Sequence, residues 1–344
     1  MAGTAEKGGV LVCMGDDHTG ESSTVLHHSE FALVDVMMPI LSPAGVQEVL
    51  DYGLLGWALS RYCGCWVGLK CVKDTIEVTQ VVDGDPFRLN IVTPTDFHMP
   101  ESGLNIRLGD DPVSQEARLH DYKRFAAEAF GRANRIDRRM HGDDRARIGI
   151  VSSGKSWLDV AHALDLLGLD DAECRRLGIA TYKVGMVWPL DMASFREWAH
   201  DLEHIVVVEE KRKLIEVQIK EAIFDDRRGR RVTGWKNERG EVVFSVKKSL
   251  DPVAIARVLE DILAEDGLET ETLIERRKVL AEATRADNAL DIAVRKPWFC
   301  SGCPHNTSTR LPEGARAYAG IGCHYMVQWM DRETSGFTHM GAEG

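Results

Sequence analysis

At 344 residues the chain has room for two or three domains of about 150 residues each, and its 44% hydrophobic and 28% charged content is that of a globular protein. The formal charge of −12 opposes a phosphate backbone or an anionic membrane surface, both of which select a basic stripe. Nucleic acid and membrane are therefore set aside as partners. Apolar runs such as 9–14 and 205–208 are far shorter than the roughly 20 residues that span a bilayer, and the first residues carry no export pattern. Eight cysteines in that context read as reduced thiols or ligands rather than as a disulfide framework, and the expected compartment is the cytoplasm.

In chain order, residues 9–14 form a short buried-strand pattern that stops at Gly15-Asp16-Asp17-His18, where turn-forming residues take over. Residues 31–40 read as a strand running into a turn. A helix follows from Pro43 through Leu55, weakened by Gly53 and Gly56, and residues 66–72 return to strand. Between 83 and 144 the prolines at 86, 94, 100 and 112 break regular structure, and a basic helical stretch spans 117–139; this segment reads as a linker. From 147 to 224 strands at 148–151, 182–187 and 205–208 alternate with helices starting near Ser156, Ala193 and Leu214. That alternation predicts a parallel α/β domain that packs on its own. A charged helical region from 252 to 290 leads to the cysteine-rich end.

Two constellations carry chemistry. Cys300-Ser301-Gly302-Cys303, with Cys323 twenty positions beyond Cys303, places thiolates at metal-site spacing. On spacing alone an iron–sulfur site, a zinc site completed by His305 or His324, and inert thiols all stand. Gly149-Ile150-Val151-Ser152-Ser153-Gly154-Lys155-Ser156 satisfies the phosphate-loop pattern, and the acidic end of 205–210 resembles the magnesium-holding strand of such proteins. The objection is physical. A phosphate loop needs an apolar strand before its first glycine, yet 142–147 is Gly-Asp-Asp-Arg-Ala-Arg, so Ile150 and Val151 must be the strand.

The string Cys300 to Thr309, followed by Gly320-Ile321-Gly322-Cys323-His324-Tyr325-Met326 and Gln328 to Arg332, resembles the start of the diphosphate-binding domain of indolepyruvate ferredoxin oxidoreductases. The likeness extends upstream through Gly15-Asp16-Asp17-His18 with Ser22-Ser23-Thr24, through Tyr52 to Tyr62, Tyr182 to Met186 and Val207 to Lys211. It implies an α/β chain in which a transketolase C-terminal-like parallel domain (145–225) is flanked by partial thiamine-diphosphate-binding domains. These are the pyrimidine-side portion at 1–82 and the diphosphate-side portion at 296–344, with connecting segments at 83–144 and 226–295. The family's chemistry is oxidative decarboxylation of a 2-oxoacid, here indolepyruvate or another aryl pyruvate, with coenzyme A as co-substrate and ferredoxin as electron acceptor.

The resemblance implies thiamine diphosphate, Mg²⁺ and a [4Fe–4S] cluster as cofactors, and a homo-oligomer or the remaining domains of the enzyme as partners. It assigns Cys300, Cys303 and Cys323 to the cluster, Glu343 to the metal ion, and Asp17, Gly322, Gly341 and Gly344 to the cofactor. His18 and His324 are the candidates for proton transfer, because histidine titrates near neutral pH; the alternative is an ordinary polar loop residue. The expectation is also that this chain is a fragment, inactive alone. A phosphate-loop ATPase and a non-catalytic zinc–thiolate module are the rival functions. Cys13, Cys63, Cys65, Cys71 and Cys174 match nothing in the family and read as small core residues.

Overall fold

Apolar strands separated by amphipathic helices predict layers, and layers are found. The computed structural model describes residues 2–21, 26–247, 249–287, 296–315 and 322–330. The chain divides into one unit of residues 1–19 with 26–281 and another of 20–25 with 282–344.

In the first unit, β1 (Leu11–Asp16) is followed by α1 (Glu30–Asp35), β2 (Ile40–Leu41), α2 (Val46–Cys63), β3 (Val67–Val72) and α3 (Lys73–Ile76). Residues 31–40 thus begin as helix, with strand only at the end. Next come α4 (Pro112–Arg118), a π-helical turn (Leu119–Lys123) and α5 (Arg124–Ala133). The alternating region holds β4 (Arg138–His141), β5 (Ile148–Ser153), α6 (Gly154–Leu167), α7 (Asp171–Leu177), β6 (Ile179–Val184), β7 (Met186–Trp188), α8 (Met192–Trp198), β8 (His204–Val208) and α9 (Ile215–Ile223). Then β9 (Arg231–Thr233), α10 (Pro252–Glu265) and α11 (Glu271–Asp287) follow.

Two sheets result, in the orders β1-β3-β2-β7 and β4-β6-β5-β8-β9. Within the first, β1, β3 and β2 are parallel; within the second, β6, β5, β8 and β9 are parallel, and only β7 and β4 join antiparallel. The expected α/β class with parallel sheets holds. The sheets do not separate into independent bodies, because one strand path serves both: after β6 the chain passes Gly185 and enters the first sheet as β7. Asp137 fixes this crossing by accepting hydrogen bonds from the Gly185 and Met186 amides at 2.7 and 2.9 Å.

Segments expected to be connectors pack into the core. Leu104, Leu119, Ala126, Phe130 and Ile136 from 83–144 bury with Leu59, Val67 and Leu69. The following region acts similarly: Ile255, Leu259 and Leu263 of α10, with Leu273 and Leu280 of α11, close over Val160, Leu164 and Leu167 of α6. Gly56 does not weaken α2 so much as let it sit down, since a Cβ there would stand 2.7 Å from a Leu11 methyl. No helix among the described residues is long and apolar enough to cross a membrane.

The turn from β5 into α6 is made by Gly154, at φ +51° with a would-be Cβ 2.4 Å from Ser42 Oγ. The helix begins there, so Ser156 is buried inside the first turn rather than capping it. Gly154→Ala is expected to destabilise the protein by about 1–3 kcal/mol, read as a lowered urea midpoint with an unchanged slope.

Candidate functional site

Parallel α/β sheets place ligands at the carboxyl ends of their strands, and there this chain gathers buried charge. His18, two residues past β1, is 3% exposed and its Nδ1 is bonded to Glu210 Oε2, just past β8. The other Glu210 oxygen accepts from Lys155 Nζ at 3.2 Å and from the Leu250 amide at 2.8 Å. Lys155, in the first turn of α6, also donates to Asp159 at 2.6 Å and to the Leu250 carbonyl at 2.8 Å. Its three protons therefore have three acceptors. Alongside, Lys70 of β3 pairs with Glu30 at 2.7 Å, and Glu30's second oxygen meets His28 Nε2. Asp16 accepts from the Ser29 hydroxyl at 2.6 Å.

Electrostatics set the protonation states. Burial lowers the pKa of His18 despite the Glu210 carboxylate. Burial alone would raise Glu210, but the His18 hydrogen bond and the Lys155 charge outweigh it and hold the carboxyl at about 2. Lys155 is raised, because Glu210 and Asp159 overcome its own burial, while burial pushes Asp159 up to about 6. His18 is thus neutral against an ionised Glu210, which fixes the proton on Nδ1 and leaves Nε2 as a lone-pair acceptor. That Nε2 is buried with no hydrogen-bond partner among the described residues, as is Nδ1 of His28, whose ring lies 6.0 Å from that of His18. Unpartnered buried nitrogens call for an explanation such as a ligand or water.

Glu209 has a different task. Its carboxylate accepts from the amides of Leu214, Ile215 and Glu216 and so anchors the start of α9. Burial pushes its carboxyl up to about 8 against those three amides.

Of the residues singled out in the sequence, His18 lies in this network, and Asp17 beside it accepts from the Thr19 amide and hydroxyl at 3.2 Å. Gly322 opens the 3₁₀ turn Cys323–Trp329 at φ +126°, and His324 lies 5.8 Å from the ring of His305. Gly341, Glu343 and Gly344 lie outside the described residues. Among the described residues no group of three or more His, Cys, Asp or Glu is placed to share a metal ion. Cys300 and Cys323 are exposed, and Cys303 Sγ faces His305 Nδ1 at 3.3 Å. Cys13 is exposed and Cys71 half-buried, while Cys63, Cys65 and Cys174 are buried.

Glu210, Lys155, Asp159, Lys70, Glu30 and His28 were not among the sequence candidates for this site. Their signals were the acidic pair ending an apolar strand and the lysine of a phosphate-loop pattern. The structure disposes of that pattern, since Gly149 to Ser153 are all strand and Lys155 is saturated by its own protein.

Residues 138–287 match the family model of the indolepyruvate oxidoreductase domain. The indolepyruvate oxidoreductase subunit IorA of Pyrococcus abyssi is 26% identical over 92% of this chain and 47% of that protein. The IorA subunit of Methanothermobacter marburgensis is 23% identical over 93% and 47%. A solved 2-oxoglutarate:ferredoxin oxidoreductase from Magnetococcus marinus aligns with TM-score 0.43 and 15% identity over 72% of this chain and 48% of that one. The sequence matches bear out the resemblance read from the motifs: the chain is similar to the indolepyruvate oxidoreductases, and its residues 138–287 match their domain. It spans about half the length of the curated relatives it matches.

Two outcomes test the network. Glu210 is ionised in the fold at pH values where a free carboxyl is protonated. Its contribution to stability is therefore full above pH about 4.5 and lost as pH falls towards 2. Glu210→Gln should remove that acid dependence, seen as a flatter stability profile between pH 5 and 3 in urea titrations. Lys155→Ala strands two buried carboxylates and should cost about 3–5 kcal/mol while leaving any nucleotide affinity unchanged by calorimetry. A Lys155→Ala protein of undiminished stability that has lost MgATP binding would restore the phosphate-loop reading.

Proposed function

We propose that this chain is part of a thiamine-diphosphate-dependent 2-oxoacid:ferredoxin oxidoreductase acting on indolepyruvate or another aryl pyruvate, with coenzyme A as acyl acceptor. The observation that carries the reading is the indolepyruvate oxidoreductase domain at 138–287, which contributes Lys155, Asp159 and Glu210 to the buried network. The relatives are named as subunits, which supports an enzyme assembled from more than this chain.

A buried acceptor nitrogen without a partner among the described residues, at the carboxyl ends of parallel strands, suits an amine or hydroxyl of a bound cofactor or substrate, and this fits thiamine at His18. Thiamine diphosphate supplies a nucleophilic carbon and an electron sink for loss of carbon dioxide. In this chain His18 Nε2 takes and returns a proton, with Glu210 fixing the ring tautomer and Lys155 neutralising Glu210. Glu210 and Lys155 are positioning residues. Asp17 shapes the turn that carries His18 out of β1. Cys300, Cys303 and Cys323, which the resemblance assigns to the cluster, are given no electron-transfer step.

The test is an anaerobic assay of the complete enzyme, with reduction of a one-electron dye measured against several 2-oxoacids. Reduction that needs both an aryl pyruvate and coenzyme A is expected. His18→Gln should lower kcat by about 10²–10⁴ with little change in KM, and Glu210→Gln should move the acid limb of the pH profile. Absence of carbon dioxide release from every 2-oxoacid would refute the assignment.

A further inference from the structure

A cavity of about 740 Å³ opens beside the buried network, and its wall is built from Lys211, Arg212, Lys213, His28, Phe31 and Trp235, with apolar side chains between them. No Asp or Glu is among the described residues that line it. In a chain of net charge −12, a concavity that gathers three consecutive cations departs from the average of the surface. The three cations are also prepared. Lys211 holds a left-handed backbone conformation at φ +61°, unusual for a side-chain-bearing residue. It is tied down by a hydrogen bond from its Nζ to the His18 carbonyl. Arg212 lies 4.3 Å over the ring of Phe31 and Lys213 5.4 Å from that of Trp235. Rings thus hold the cations in place while leaving their charge for a ligand.

Size and charge choose the ligand class. A cavity of this volume falls in the range of whole cofactor sites, and a monoanionic aryl acid would leave most of the space and two of the cations unmatched. A planar ring joined to several negative charges satisfies both the aromatic, apolar wall and the triple cation, because Arg and Lys recognise phosphate oxygens and bases stack on aromatic faces. We propose that this cavity binds a nucleotide bearing at least two phosphate groups. Coenzyme A, through its adenosine 3′,5′-bisphosphate end, and ADP share that chemistry. The site is separate from Lys155 and from the phosphate-loop pattern. It communicates with the buried network through Lys211, which holds the His18 carbonyl, and through His28, which holds Glu30.

Calorimetry on the full chain with adenosine 3′,5′-bisphosphate, with ADP and with indole-3-acetate tests the assignment. Saturable binding of at least one nucleotide is expected, weakened about tenfold or more by Arg212→Ala with Lys213→Ala and weakened by added salt. Preference for the 3′,5′-bisphosphate points to coenzyme A, and preference for ADP to a nucleoside diphosphate. Both Arg212 and Lys213 are exposed, so the double variant should keep the wild-type urea midpoint; Arg212→Gln with Lys213→Gln serves if it does not. No saturable nucleotide binding, binding unchanged in these variants, or tighter binding of indole-3-acetate than of either nucleotide would overturn the proposal. The result is independent of the oxidoreductase reading, which the decarboxylation assay judges alone.

Discussion

One buried carboxylate organises the first unit. Glu210 cannot be ionised and desolvated unless every oxygen lone pair is answered, because an uncompensated buried charge costs several kcal/mol. Its answers come from His18 after β1, Lys155 at the start of α6 and the Leu250 amide ahead of α10. The positions of three otherwise unrelated segments follow from that requirement. Lys155 extends it to Asp159, and a second ion pair, Lys70 with Glu30, repeats the arrangement next to it. Charge satisfaction thus joins apolar packing, in which Leu250 and Val208 share a core with α6, in bringing these chain ends together.

The same interaction sets the chemistry. A histidine beside a carboxylate is ordinarily more basic, yet burial wins for His18 and lowers its pKa. The outcome is a neutral ring with a defined tautomer, whose Nε2 has no partner among the described residues.

The sequence revealed the strands where apolar runs were uninterrupted. β5 and β8 are legible as Ile148–Ser153 and His204–Val208 because both faces of a central parallel strand are buried. The same logic correctly took Ile150 and Val151 away from a phosphate loop. It failed at 31–40, where closely spaced apolar residues imitate a strand; Glu30, buried against Lys70, opens a helix there instead. The connector reading of 83–144 failed because Leu104, Leu119 and Phe130 reach the core singly, without a period to betray them. The network was hidden for a simpler reason: His18 and Glu210 are 192 positions apart, and local patterns carry no information about pairing at that range. The motif resemblance singled out His18 but not its partner Glu210.

The passage of one polypeptide from β6 through Gly185 into β7 yokes the two sheets mechanically. A hinge between them would have to break the Asp137 clamp on Gly185 and Met186 and peel β7 from β2, so rotation of one sheet against the other is an expensive motion. The span between β8 and α9 is held against the same frame, since Lys211, at φ +61°, reaches back to the His18 carbonyl beyond β1.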